Sequence, residues 1–180
     1  MRRKNAFLLL LAMAIILIGG CAKNYVITVP LEEPLKPGAS FSVGEIVDEL
    51  PIDMDEGDKP TIEDINKLKN YLMEELEKQD IWEMVSAGQN RPYEVTGSLL
   101  NFKRGSGALR FLFGIFAGSA HITVSLELVD LEASQVVYAG NFKAQVTDWT
   151  ESGAKMYQRV AKDFAKELKK QLKKQLGGRG

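Results

Sequence analysis

The sequence predicts a two-layer α+β domain in the order β-α-β-β-β-α, an antiparallel meander packed against two helices. Three observations predict it. Apolar residues recur at helical spacing along 62–76 and again along 157–176, and between 93 and 146 they alternate with polar residues in three successive stretches. Helices with one apolar stripe and a sheet with one apolar face can cover each other in two layers.

Ser40 to Val47 carries Phe41, Val43, Ile46 and Val47 around Gly44, a first strand with a bulge at the glycine. Asp48 to Lys59 is an acidic connection holding Asp53, Asp55, Glu56 and Asp58. Its spacing departs from a calcium-binding EF-hand loop, and no glutamate closes it, so it reads as a solvated loop with no metal. Thr61 opens the first helix after Pro60, with Asp64 placed to complete an acidic capping box. Ile62, Ile65, Leu68, Leu72 and Leu76 form the apolar stripe. Ile81, Trp82, Met84 and Val85 pack at or after the helix end, before Gly88 and Pro92.

Tyr93, Val95, Gly97 and Leu99 then alternate with Glu94, Thr96 and Ser98. The clearest strand runs through Ile122, Val124, Leu126 and Leu128, with His121, Thr123, Ser125 and Glu127 between them. Asp130 to Ser134 is a hairpin-length connection, after which Val136, Tyr138, Gly140, Phe142, Ala144 and Val146 line one face. One apolar and one polar face suit an antiparallel meander. The last helix begins near Ser152 or Gly153 and buries Tyr157, Val160, Ala161, Phe164, Leu168, Leu172 and Leu176 before Gly177-Gly178 ends it.

Ahead of this domain stand Arg2, Arg3 and Lys4, an apolar run from Ala6 to Ile18, and then Gly19-Gly20-Cys21. That is the plan of a secretory signal peptide, and the run is too short to span hydrocarbon roughly 30 Å thick comfortably. An aliphatic residue, two small ones and a cysteine form a bacterial lipobox: the thiol of Cys21 takes a diacylglycerol and the freed amine an acyl chain such as palmitate. Residues 1–20 are therefore read as a lipoprotein signal peptide and 21–39 as the lipidated cysteine with a Pro-rich tether through Pro30, Pro34 and Pro37. The single domain is 40–176 and the tail 177–180. Ala22, where an aspartate would retain the protein at the inner membrane, points to the outer membrane, facing the periplasm.

Charge is distributed unevenly. From Glu32 to Glu94 there are 17 acids against 6 bases, whereas Ala154 to Leu176 holds 8 bases against 2 acids. The basic helix face reads as solvated, with lysine stems covering apolar surface, or as a ligand for anionic lipid or a polyanionic envelope partner. Export makes nucleic acid a poor partner. Catalysis has little support: His121 is the one histidine and falls on the polar side of its strand, Gly105-Ser106-Gly107 lacks a phosphate-cradle ending, and no nucleophile motif occurs. No cofactor is implied, and the reading is a non-enzyme.

Lys103 to Ala120 is the unusual stretch. It joins two strands through Arg110 and the block Phe111-Leu112-Phe113-Gly114-Ile115-Phe116-Ala117-Gly118. Connections this long tend to be functional, and each large apolar side chain left in water forgoes roughly 1.5–3 kcal/mol. The candidate interaction surface is Arg110, Phe111, Phe113, Gly114, Ile115, Phe116 and Gly118, covered by the domain itself, by another protein or copy, or by lipid.

The pattern Arg110-x-x-x-Gly114-x-x-x-Gly118-x-Ala120, followed by strands from Ile122 and Val136, resembles an uncharacterised family of bacterial lipoproteins over about Ser40 to Leu176. Glu132-Ala133-Ser134 stands where family members carry a Thr-Gly or similar turn. The resemblance brings no catalytic residue. The element order is also similar, at fold level, to the curli secretion channel lipoprotein and to penicillin-binding-protein activator lipoproteins, which are interaction or pore proteins. The expected function is a membrane-anchored binding, adaptor or assembly module of the cell envelope. The alternatives are a self-assembling ring or pore using 104–118, and a carrier of a small apolar ligand.

Overall fold

The computed structural model describes residues 24–35, 39–51, 53–54, 59–79, 83–84, 92–105, 119–146 and 154–177. Six strands form one sheet: β1 (Tyr25–Val29), β2 (Ser40–Asp48), β3 (Glu83–Met84), β4 (Tyr93–Lys103), β5 (Ala120–Asp130) and β6 (Gln135–Val146), in spatial order β1-β6-β5-β4-β2-β3. Two helices, α1 (Ile62–Glu77) and α2 (Ala154–Gly177), pack on each other. Beneath them, α1 lies against β2 and α2 against β6 and β5.

The α+β class and the β-α-β-β-β-α core are borne out; the two-residue β3 stands where packing at or after the end of the first helix is expected, and there are two larger differences. The sheet is mixed: β4, β5 and β6 form the expected antiparallel meander, but β2 runs parallel to β4 and to β3. The cause is α1, which carries the chain back so that β4 starts at the same end as β2, as a parallel pair requires. The second difference lies in the stretch read as a tether. Tyr25–Val29 is an edge strand antiparallel to β6, and Leu31 is buried in the core. Tyr-Val-Ile-Thr-Val is rich in β-branched and aromatic residues, and alternation sends Tyr25 and Ile27 toward the core while Val26 stays exposed.

α1 starts as predicted. The Thr61 side chain accepts from the Asp64 backbone N–H, the Asp64 carboxylate accepts from the Thr61 N–H at 2.9 Å, and the capping box is complete. Leu68, Leu72 and Leu76 are buried, but Ile62 is exposed. Alternation along β5 is perfect, from Ala120 to Asp130. Gly44 sits within an irregularity of the β2–β4 register, as expected. In β4 a second irregularity between Leu99 and Asn101 shifts the phase, which brings Phe102 into the core. α2 buries Tyr157, Val160, Ala161, Phe164, Leu168 and Leu172. Phe164 meets Phe142 edge-on and Tyr138 at a tilt, seating the helix on β6.

Candidate functional site

Cys21, Arg110, Phe111, Phe113, Gly114, Ile115, Phe116 and Gly118 lie outside the described residues, as do Asp55, Glu56 and Asp58 of the acidic loop. The structure does describe the frame on which they are hung. β4 ends at Lys103 opposite His121, near the start of β5, and His121 in turn faces Gln145 near the end of β6. β1 runs the opposite way to β6 and so begins toward that end: Tyr25 pairs with Phe142, and the Asn24 carbonyl accepts from the Lys143 N–H at 2.7 Å. Both flanks of the 106–118 segment, and the residues nearest Cys21, therefore emerge at one end of the sheet.

Asp64 ties that end together. Besides its two bonds to Thr61, its carboxylate accepts the Tyr157 hydroxyl of α2 at 2.8 Å and pairs with the Arg104 guanidinium at 2.6 Å. Arg104 also reaches the Lys59 carbonyl. One carboxylate thus joins the starts of both helices to the last residues before the apolar segment. Burial alone would raise its pKa; the bonds from Thr61 and Tyr157 and the charge of Arg104 outweigh that and hold it below the ordinary 3.8. The Tyr157 hydroxyl is pushed up by burial and by the Asp64 carboxylate it serves.

A second polar knot fastens β1. The Tyr25 hydroxyl donates to Glu167 at 2.7 Å, and Gln171 and Lys170 donate to the same carboxylate. Glu167 is buried, yet these donors overcome the cost of burial and keep its pKa below the ordinary 4.5. Tyr25 moves the other way, up to about 12, chiefly because ionising it would break its bond to Glu167. Below them the Tyr138 hydroxyl is buried without a hydrogen-bond partner among the described residues. Neither knot was read from the sequence. A signal was present: at 100° per residue Glu167 falls only about 20° from Val160, inside the apolar arc, where an acid needs donors.

The outer face of the sheet is polar. Ser98, Ser125 and Asn141 lie side by side in register, and Asn24, Val26, Thr123, Lys143 and Gln145 border an open groove of about 440 Å³. His121 lies on this face and shares a 2.9 Å bond with Asn101, the rim position expected of it. Between sheet and helices, the gap lined by Ile46, Leu99, Phe102, Ile122 and Tyr157 measures about 10 Å³. That space holds about one water, not an apolar ligand. Among the described residues no group of three or more potential ligands could hold a metal, and no helix is long and apolar enough to cross a membrane.

A family model described as "Domain of unknown function (DUF4410)" matches residues 49–145, a range that contains the Arg110 to Ala120 pattern, so the resemblance to an uncharacterised family is borne out. No curated protein matches. Among solved structures the fold is similar to a PelC dodecamer from Paraburkholderia phytofirmans, with a TM-score of 0.56 at 14% identity over 77% of this chain and 92% of that one. A point variant of that dodecamer gives 0.57 at 14% identity, over 81% and 95%. The hypothetical protein CT253 from Chlamydia trachomatis gives 0.53 at 10% identity, over 74% and 97%. At these identities the likeness shows the fold alone.

Proposed function

This chain belongs to the DUF4410 family, and we propose that it is a lipid-anchored protein of the bacterial cell envelope, held by Cys21 in the outer membrane, whose domain binds other proteins and catalyses nothing. The observation that carries this reading is the shared end of the sheet. The chain toward Cys21 and both flanks of the apolar 106–118 segment leave the domain together, at Asn24, Arg104 and Ala120. β1 begins four residues after Cys21, so an extended connection puts the domain within about 14 Å of the anchor. It works at the membrane surface and not at the end of a long tether. Asp64 and its partners stiffen the end of β4 that leads into the segment holding Arg110, Phe111, Phe113, Gly114, Ile115, Phe116 and Gly118, the interaction surface we propose.

A second reading is self-assembly into a ring, favoured by the likeness in fold to a protein solved as a dodecamer. One experiment separates them: light scattering after size exclusion of the lipidated protein in mild detergent, with cross-linking in intact cells. A uniform multimer supports the ring; a monomer cross-linked to an unlike protein supports the adaptor. Replacing Phe113 and Phe116 with Ser abolishes either contact while leaving the circular dichroism unchanged. A doubly substituted protein that keeps all its contacts, or that unfolds, refutes the assignment of this segment as the interaction surface.

A further inference from the structure

We infer that the exposed ridge of α2 docks on the anionic phospholipid surface of the membrane that holds Cys21, laying the helix along the bilayer. The inference rests on the lipid anchoring proposed above. At 100° per residue, Lys155, Arg159, Lys162, Lys166, Lys170 and Lys173 fall within an arc of about 80° that runs about 27 Å along the helix. All six are exposed, and the ridge is diametrically opposite the buried stripe of Val160, Phe164 and Leu168. The two acids of this helix neutralise it only in part: Lys170 pairs with Glu167, and Asp163 feels the charges of Lys166, Lys162 and Arg159. Glu167 is buried and bonded to Tyr25, Gln171 and Lys170, and Asp163 sits half-buried on the flank. Lys162, Lys166 and Lys173 form no ion pair among the described residues.

A basic helix face in water needs no partner. What commits this one to lipid is its position relative to the anchor. Tyr25 bonds directly to Glu167, which is level with the middle of the ridge along the helix axis but on the buried side, so the chain enters the domain beside α2. Four extended residues reach at most about 14 Å, comparable to the roughly 15 Å from the strand layer through the helix to its outer side, so the acyl chains on Cys21 can reach the plane that the ridge touches. α2 covers the β1–β6 side of the sheet, next to the anchor. The acidic α1, with exposed Glu63, Glu74 and Glu77, covers the opposite side by β2. The domain is therefore polarised across its helical layer, basic where the lipid attaches and acidic away from it. Each lysine brought to an anionic surface strengthens binding about fivefold, an effect that salt screens.

The test uses the lipidated full chain on vesicles of phosphatidylcholine, alone or doped with phosphatidylglycerol, with reductive methylation of lysines followed by mass spectrometry. Lys162, Lys166 and Lys173 are expected to label about fivefold more slowly on the anionic vesicles, and to lose that protection at high salt. Lys67 and Lys78 of α1 should label equally on both. The triple variant Lys162→Gln, Lys166→Gln, Lys173→Gln still floats with both vesicle types but loses the protection of Lys155 and Lys170. Equal labelling on the two vesicle types, with the protein afloat, overturns the docking and leaves the anchor standing. Protection that appears only when envelope proteins are added overturns it in favour of an acidic protein partner. Failure to float with either vesicle type removes the anchor itself, and the docking with it.

Discussion

Replacing Asp64 with Ala strikes the point where both helices and the end of β4 meet. The capping box at Thr61 is lost, which costs about 1 kcal/mol. The Tyr157 hydroxyl, on a residue only 4% exposed, loses its acceptor at a cost of about 1–3 kcal/mol. Arg104, whose side chain is 48% exposed, contributes less than about 1 kcal/mol, because water screens the pair. The sum is about 3 kcal/mol, read as a lower urea midpoint at unchanged slope and a fall in Tm of roughly 6–12 °C for a domain of this size. Asp64→Asn should cost less, since an amide still offers an oxygen. In a double-mutant cycle with Tyr157→Phe, the coupling should be about 1–2 kcal/mol. Acid should act the same way as the substitution. A carboxyl held below 3.8 binds its proton more weakly folded than unfolded, so its contribution is complete above that pH and is lost as pH falls through the folded value. The Asp64→Ala protein should therefore lose less stability on acidification than the wild type. A loss under about 1 kcal/mol, or strict additivity with Tyr157→Phe, would refute the idea that Asp64 joins the two helices.

Tyr25→Phe takes one donor from the buried Glu167 and should cost about 1–3 kcal/mol. Amide hydrogen exchange should show β1 opening before the rest of the sheet, and unchanged protection at 25–29 would count against the Tyr25–Glu167 bond as its fastening. Gly97→Ala should cost about 1–3 kcal/mol, because its Cβ would overlap the Ser125 carbonyl of the neighbouring strand. Thermal unfolding measures it, and an unchanged Tm would show that the two strands can part.

Periodicity made most of the fold legible. The stripe of α2, the strict alternation of β5 and the Thr61–Asp64 box are local patterns, each fixed by the geometry of its own element, so a sequence carries them openly. Strand direction is different. Nothing in Phe41, Val43 and Ile46 says whether β2 runs with β4 or against it; that depends on where α1 returns the chain. β1 escaped because a five-residue strand, lying close before a proline, is too short for alternation to declare itself, and its stability comes from pairing with β6, more than a hundred residues away.

The same division holds for function. By itself the sequence determined the apolar run and small-residue pair ahead of Cys21, the apolar block around Phe113 and the opposed charges of the two halves, because composition and short spacing encode them. Only the tertiary structure decided which of these features lie together. Burying the apolar faces of the sheet and two helices forced Asp64 against Tyr157 and Arg104, Tyr25 against Glu167, and the start of β1 beside the basic helix.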